Sequence, residues 1–175
     1  KRIIYTFAVL FVAVSCNLEE INENPNVPNE VPLSTLLPPT QKALTDVQGG
    51  QLFRINSIFA QQMQGLSGRP LEFENYNPSE LFVGNTWNDI YVSSVVNLKI
   101  IQDRAIQEGS PHYAGVAKVL QAQAFGLLTD TWGNVPYFES ASGADAINPV
   151  YDDQEVIYDQ IQIILDEAIL NLQEE

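Results

Sequence analysis

The chain has 175 residues, of which 45% are hydrophobic, and this length is enough for one domain with a sizeable core. Eight Lys and Arg residues stand against 22 Asp and Glu residues, so the net charge is −14 at pH 7. This excess of acidic groups excludes a nucleic-acid-binding protein, because contacts to phosphate require basic side chains.

The first predicted element is a lipoprotein signal peptide over residues 1–15. Lys1 and Arg2 precede an apolar run at residues 3–14, which is shorter than the roughly 20 residues that a membrane-spanning helix needs. Small residues lead up to Cys16, the only cysteine, as a bacterial lipoprotein peptidase requires. We therefore predict that Cys16 is lipidated. The alternative is an ordinary signal-peptidase site that leaves Cys16 as a free thiol.

Residues 16–37 are predicted to form an extended, flexible tether. Within it, residues 17–32 are rich in Asn, Pro and Glu and have no helical or strand period. At about 3.3 Å per residue this stretch would reach at most roughly 50 Å. The predicted helical part follows as residues 38–175.

The helical part is predicted to be all-α, because apolar residues recur every three or four positions and no segment alternates as a strand would. A first helix enters through Pro38-Pro39 and ends at Gly49-Gly50. A second ends near Gly65. A third opens with Asn77-Pro78-Ser79-Glu80, which supplies an N-cap, an N1 proline and a capping-box glutamate. It runs to Gly109, with a candidate break at Gly84.

The fourth helix has the clearest boundaries in the sequence. Ser110 is a suitable N-cap, Pro111 suits the first helical position, and Gly133 suits the C-terminal cap. Its small residues would let a neighbouring helix approach closely; they are Ala117, Ala122, Ala124 and Gly126. A fifth helix is predicted to start at Asp152, with Glu155 completing a second capping box.

Helices three and four are joined by only a few residues, so they are predicted to form an antiparallel hairpin. Helix five would begin another hairpin, whose second member is absent from the sequence. We therefore expect this chain to be the N-terminal part of a longer protein.

One motif identifies a family resemblance. Thr129-Asp130-Thr131-Trp132-Gly133-Asn134-Val135-Pro136-Tyr137, directly after a helix, resembles the signature of SusD/RagB-type outer-membrane nutrient-binding lipoproteins, and most closely their starch-binding-associated subgroup. Trp87 and Tyr91 match the family's Trp-x-x-x-Tyr helix, and Asn24-Pro25-Asn26 resembles the start of the mature proteins. Two positions depart from the pattern. Asn134 stands where many members have aspartate, and Ala13 stands where the lipobox usually has leucine.

The resemblance implies a fold of tetratricopeptide-like antiparallel helical hairpins, although the strict repeat consensus is not present. It also implies a lipid-anchored, surface-exposed outer-membrane protein, and Glu19 and Glu20 loosely match the family's surface-export signal. Such a protein binds a glycan or another nutrient and passes it to a TonB-dependent SusC-like transporter. The alternative is a structural helical-repeat lipoprotein that holds partner proteins and binds no small ligand.

The sequence offers little support for catalysis, a metal or a cofactor. His112 is the only histidine, and it has no second His or Cys partner in a ligand or nucleophile pattern. Asp152-Asp153 and Asp166-Glu167 could be acid/base pairs for glycoside hydrolysis, but we interpret them as capping and solvated residues. The acidic surface is interpreted in the same way. Cation binding is the alternative, without an EF-hand loop to support it.

The predicted ligand-binding residues lie in residues 68–78, which we interpret as a polar connection between helices. Phe73 and Tyr76 stand there among Arg69, Asn75 and acidic residues. Rings beside amide and charged groups suit sugars, because the C–H face of a sugar stacks on a ring while its hydroxyls form hydrogen bonds. The alternative is an ordinary surface loop with both rings folded inward. The aromatics on helical stripes are predicted to be core residues; they are Trp87, Tyr91, Tyr113 and Phe125.

Overall fold

Seven α-helices make up most of the described chain. The computed structural model describes residues 31–174, apart from the side chains of residues 80–83. The predicted signal peptide, the lipidation site Cys16 and the tether as far as residue 30 lie outside the described residues. The helices are α1 (Leu33–Asp46), α2 (Phe53–Phe59), α3 (Gly68–Glu74), α4 (Glu80–Ile90), α5 (Val96–Gln107), α6 (Pro111–Trp132) and α7 (Gln154–Gln173).

The predicted all-α class is confirmed for the described part of the chain. Between residues 31 and 174 there is no strand, and an isolated antiparallel bridge pairs Val135 with Asp152. No helix in this range combines the length and the apolar character needed to cross a membrane.

The first two predicted helices are one continuous helix. A π-helical stretch, Val47–Leu52, joins α1 to α2 and contains both Gly49 and Gly50. Neither glycine has a positive φ, so neither forms the left-handed C-terminal cap that ends a helix. The predicted stop at Gly49-Gly50 is therefore wrong, because glycine weakens a helix without necessarily ending it.

This helix also begins earlier than predicted, at Leu33 rather than at Pro38. Leu33 is buried, and the core contact it gains favours the extra turn. Pro38 and Pro39 consequently lie inside α1. Both prolines are exposed, so the backbone carbonyls that they leave without an N–H partner can bond to water.

The third predicted helix is continuous as well, but its details differ. No break occurs at Gly84; instead α4 passes into α5 through a π-helical stretch, Tyr91–Val95. Ser79, and not Asn77, is the N-cap, so Pro78 lies before the helix. Ser79 makes no side-chain capping hydrogen bond.

The longest helix matches its prediction. Ser110 is the N-cap of α6, Pro111 occupies the first turn, and Gly133 follows the helix with a φ of 77°. Gly109, in the left-handed conformation, turns the chain from α5 into α6, and the two helices pack as an antiparallel hairpin. The predicted hairpin is confirmed.

α7 packs antiparallel to α6 along most of its length. The start of α6 meets the end of α7, where a Cβ on Gly115 would lie 2.7 Å from Leu172 Cγ. Lys118 Nζ pairs with Glu167 Oε2 at 2.8 Å, and Tyr158, near the start of α7, donates to Asp130. The predicted capping box at α7 is wrong. Asp153 is the N-cap without a side-chain capping bond.

Two hydrophobic cores hold these helices. The larger one lies between the α1–α2 helix, the α4–α5 helix, α6 and α7, and Phe125, Leu128 and Ile101 are fully buried in it. The smaller one is formed by Ile58 and Phe73, with Ile55 and Phe59 packed against it. It fixes α3 onto the end of α2 and so supports the residues predicted to bind ligand.

One apolar face remains open. On α7, Ile163, Ile169 and Leu170 are 49%, 51% and 69% exposed, although residues on the opposite side of the helix are buried against α6.

Candidate functional site

The segment predicted as a polar connection contains a short helix, α3. The chain must turn tightly to start it, because a Cβ on Gly65 would lie only 1.9 Å from the carbonyl oxygen of Pro70. Glu74 Oε2 also accepts a hydrogen bond from the Gly65 N–H at 3.1 Å. The interpretation of residues 68–74 as a loop is therefore wrong. The helix is too short to show a period, and it is held by contacts to its own flanks.

Tyr76 ends this helix in an unusual backbone conformation. Its N–H donates to the Phe73 carbonyl at 2.9 Å, and the N–H of Asn77 donates to the Glu72 carbonyl at 2.8 Å. These two bonds form a Schellman motif, in which the residue at C′ is left-handed and is usually glycine. Tyr76 has a φ of 53° there. A bulky residue in this region costs of order 1–3 kcal/mol, and such outliers cluster at functional sites.

The ring of Tyr76 is held flat on another ring. It stacks on Phe59 with the centroids 5.3 Å apart and an interplanar angle of 14°. Its hydroxyl donates to the Phe59 carbonyl oxygen at 3.2 Å. The residue is nevertheless 62% exposed, so the ring face opposite Phe59 is available to solvent. A fixed, open aromatic face is a suitable platform for the C–H face of a sugar.

Phe73 points the other way. It is 1% exposed and packs edge-to-face on Phe59, with the centroids 6.3 Å apart and an interplanar angle of 86°. Of the two orientations considered for this ring, the structure has the inward one, so the position of Phe73 contradicts its prediction as a ligand-contacting residue. Phe59 therefore contacts both rings, stacking on Tyr76 and meeting Phe73 edge-to-face.

The two polar residues of the predicted site are both exposed. Asn75 is the C-cap of α3 and directly precedes Tyr76 in the chain. Arg69 is near the start of the same helix, separated from Tyr76 by about 10 Å at 1.5 Å per residue. A ligand that contacts both Arg69 and Tyr76 must therefore be extended.

An apolar groove of about 290 Å³ lies beside this site and shares Phe59 as part of its wall. Trp132 forms another part of the wall, and Pro78 follows the short helix that carries Tyr76. Its remaining lining residues are Leu52, Ile55, Thr86 and Thr131. Sequence reasoning did not identify Phe59 as a site residue, because its helical spacing is also that of a core residue and its partner Tyr76 is distant in the chain.

A second aromatic cluster forms around Trp87. Trp87 packs against Tyr91 and Trp132, as expected of core residues, but its ring also stacks on Tyr151 at 6.2 Å. Tyr151 is 60% exposed and was not predicted, since it lies in an irregular connection without a period. A groove of about 180 Å³ runs beside Trp87 and Tyr91 along residues 136–149.

Tyr91 is hydrogen-bonded to the segment of residues 129–137, the motif that resembles the family signature. Its hydroxyl donates to the Pro136 carbonyl oxygen at 2.7 Å. Burial raises the pKa of Tyr91 well above its ordinary value, and the nearby Tyr151 and Asp152 raise that pKa further. The phenol therefore keeps its proton, and with it the hydrogen bond to Pro136, to a higher pH than an ordinary tyrosine would.

Asp152 and Asp153, one of the two acidic pairs considered for catalysis, have structural partners. Asp152 Oδ2 accepts hydrogen bonds from the backbone N–H groups of Tyr137, at 2.8 Å, and Phe138, at 3.1 Å. Asp153 Oδ1 accepts from Asn134 Nδ2 at 2.8 Å, and Asn134 Oδ1 accepts from the N–H of Gln154 at 3.1 Å. These bonds tie the connection after α6 to the start of α7.

Two comparisons relate the chain to known proteins. The SusD-like family model described as "Starch-binding associating with outer membrane" matches residues 25–175. The crystal structure of a SusD/RagB family protein from Bacteroides thetaiotaomicron is similar, with a TM-score of 0.63 and 29% sequence identity over 78% of this chain. The matched region covers 31% of that protein. No curated protein shows significant similarity to this chain.

Proposed function

Since the chain belongs to the SusD-like family of starch-binding proteins associated with the outer membrane, we propose that it is a surface lipoprotein that binds oligosaccharide or a similar nutrient and delivers it to a TonB-dependent SusC-like transporter. The family assignment rests on a match over residues 25–175 and on the structural relative. The anchor, the ligand and the transporter are our proposals for this chain.

The observation that carries the proposal is the exposed, immobilised ring of Tyr76. A free ring would lose rotamer freedom when a sugar stacks on it, which opposes binding. The stack on Phe59 and the bond to its carbonyl have already removed that freedom. We propose that Tyr76 stacks on a sugar, that Asn75 donates to and accepts from its hydroxyls, and that Arg69 contacts a more distant unit.

The proposed anchor is a set of acyl chains on Cys16. Each buried CH₂ contributes about 0.8 kcal/mol, and two chains hold a protein on a membrane where one does not. The segment between Cys16 and α1 would then let the helical part stand away from the bilayer while it delivers ligand to a transporter in the same membrane.

The alternative is a structural helical-repeat lipoprotein that scaffolds partner proteins and takes no small ligand. The observation that favours it is the open apolar face of α7, where Leu170 is 69% exposed. Exposed apolar faces of this kind commonly mark protein contacts. The two functions are not exclusive, but only the first requires the ring of Tyr76.

The test is glycan binding by the intact protein and by Tyr76→Ala. Covering a whole ring would contribute about 4–6 kcal/mol, at about 25 cal/mol per Å² over about 150–250 Å². A sugar covers part of a ring and loses freedom on binding, so we expect a net loss of about 1–2 kcal/mol. Tyr76→Ala should then weaken the binding of a glycan selected on an array about five- to thirtyfold in calorimetry.

Two variants control this experiment. Tyr76→Phe keeps the stacked ring and should bind nearly as well as the wild type. Phe138→Ala removes a ring of similar exposure, 57%, outside the site and should leave affinity unchanged. Equal affinities for wild type and Tyr76→Ala would place glycan binding elsewhere. A wild type that binds no glycan on the array would support the scaffolding alternative.

A further inference from the structure

A second cleft lies on a different face of the α1–α2 helix. Leu52, Ile55 and Phe59, spaced by three and four residues, face the apolar groove beside Tyr76. Phe53, Asn56 and Ala60 have the same spacing but are displaced around the helix, and they line a separate cleft of about 460 Å³. The two clefts share Leu52 at their boundary.

The lining of this second cleft differs from that of the apolar groove. Phe53 is 58% exposed and lies among the side-chain amides of Gln48, Asn56 and Gln62. Among the described residues that line the cleft, none is charged. An aromatic face surrounded by neutral amides can stack on a sugar ring while hydrogen-bonding its hydroxyls, but it offers no countercharge to an ion.

One of these amides is already oriented. Gln123 Nε2, on α6, donates to Gln48 Oε1 at 2.6 Å. A side-chain amide has two donor hydrogens and two acceptor lone pairs, so this bond uses only one position on each residue. The remaining positions of the pair are held at the edge of the cleft and can address a ligand without a further loss of side-chain freedom.

The backbone next to two cleft residues, Gln48 and Gln62, is also unusual. Gly49 lies in the π-helical stretch one turn before Phe53, yet a Cβ there would meet no atom within 4 Å and the φ is not positive. Neither packing nor conformation within the described residues therefore requires glycine. Gln61, next to Gln62, has a φ of 57°. Glycine permits close approach of a ligand to the backbone, and π-helical turns and strained residues occur at functional sites.

We propose that this cleft is a second binding site for a neutral glycan chain, with Phe53 as the stacking ring and Gln48, Asn56 and Gln62 as hydrogen-bonding groups. The ligand class rests on the proposed function, whereas the existence and place of the site rest on the cleft itself. An open cleft of this volume suits a run of sugar units and not an enclosed monosaccharide.

The test is calorimetric titration of the intact protein with maltoheptaose, a linear neutral glucan, backed by affinity electrophoresis in starch-containing gels. Phe53→Ala should weaken the binding of maltoheptaose about five- to thirtyfold or remove one site from the stoichiometry. Phe53→Tyr keeps the ring and should retain binding. Phe138→Ala, which removes a ring of 57% exposure outside the cleft, should behave as the wild type does.

Two glycine variants provide an independent measurement. Gly49→Ala and Gly50→Ala should both preserve or raise the melting temperature, because a Cβ meets no atom at either position. Only Gly49→Ala should weaken maltoheptaose binding, because Gly49 directly follows the cleft residue Gln48 and precedes Phe53 by one turn of helix.

The proposal of a second site is overturned if Phe53→Ala and Gly49→Ala both titrate as the wild type does. If Tyr76→Ala loses affinity in the same series, only the second site is lost and the proposed function stands. If the wild type binds neither maltoheptaose nor starch, both the second glucan site and glucan as the ligand of the Tyr76 site are rejected.

Discussion

At the scale of single residues, Tyr76 shows how a fold can hold an exposed aromatic ring in one orientation. Its left-handed backbone costs of order 1–3 kcal/mol, and the short helix before it would accept glycine at the same position without this cost. Stacking on Phe59 recovers about 0.5–1.5 kcal/mol, and the hydroxyl bond adds about 1 kcal/mol. The cost of the backbone conformation and these two contributions are therefore close to equal. The result of the arrangement is a fixed orientation of the ring.

Tyr91 leads to a prediction on pH dependence. Because burial raises its folded-state pKa, the folded protein keeps the phenol proton above pH 10, where an unfolded tyrosine loses it. The contribution to stability is thus complete below pH 10 and declines as pH rises beyond that value. We expect the free energy of unfolding in urea to fall as pH rises from 10 to 11.

Tyr91→Phe separates this contribution from others. It removes the hydrogen bond to Pro136 and should cost about 1 kcal/mol at pH 7. In this variant the free energy of unfolding should also fall less steeply with rising alkaline pH than in the wild type. Tyr137, whose pKa burial also raises, should account for part of the slope that remains. An identical slope in Tyr91→Phe would show that the Tyr91 phenol does not contribute to alkaline unfolding.

At the scale of elements, the antiparallel packing of α6 and α7 depends on one small residue. A Cβ on Gly115 would lie 2.7 Å from Leu172 Cγ and 3.1 Å from the carbonyl oxygen of Ala168. The side chain of Leu172 can move, but the backbone of α7 can do so only if the helices separate. These distances show that α6 and α7 approach closely at Gly115, where glycine, otherwise unfavourable inside a helix, leaves room for α7.

The same substitution at two positions of α6 should therefore have opposite effects. Gly115→Ala should lower the free energy of unfolding by about 1–3 kcal/mol, because it overpacks the contact with α7. Gly126→Ala meets no atom within 4 Å and should raise it by about 0.5–1 kcal/mol through better helix propensity. Chemical denaturation of both variants provides the measurement. A stabilising effect of Gly115→Ala would contradict the close approach of the two helices.

The two π-helical stretches also act at this scale. Each lets a long helix change the face that it presents without ending, so α1 and α2 contact different partners within one helix. The extra residue in the turn shifts the side chains that follow. This shift explains why an unbroken apolar period does not run across residues 47–52.

At the scale of the whole molecule, the proposed attachment to the membrane rests on Cys16. We propose that acyl chains on this cysteine attach the protein to the membrane. Cys16→Ala should abolish partitioning into the detergent phase of Triton X-114 and leave a soluble or unprocessed protein. Tyr76→Ala, which leaves the signal intact, should partition as the wild type does. A Cys16→Ala protein that still fractionates with outer membranes would refute the proposed anchor.

The chain covers 31% of the structurally similar SusD/RagB family protein. The exposed apolar face of α7 also matters for the molecule as a whole. Burying one Leu or Ile side chain contributes about 1.5–3 kcal/mol of free energy. Covering this face would therefore add several such contributions, from Ile163, Ile169 and Leu170.

The features that the sequence determined by itself are local. Helix α6 was bounded correctly because a proline in the first turn and a terminal glycine act within a few residues of each end, although Ser110 makes no side-chain capping hydrogen bond. The all-α class followed from the apolar period, which each helix carries in its own residues. Tyr76, Asn75 and Arg69 were selected for their chemistry and are exposed, and their role in binding stays a prediction.

The features that only the tertiary structure decided depend on contacts between distant residues. Helix α3 forms because Gly65 and Glu74 close its flanks, which no period in its seven residues could reveal. Phe73 turns inward and Tyr76 outward because both pack on Phe59, more than ten residues earlier in the chain. Glycine and proline are helix breakers only on average. Burial of Leu33, Val47 and Leu52 stabilises the first helix, so it continues through its prolines and glycines.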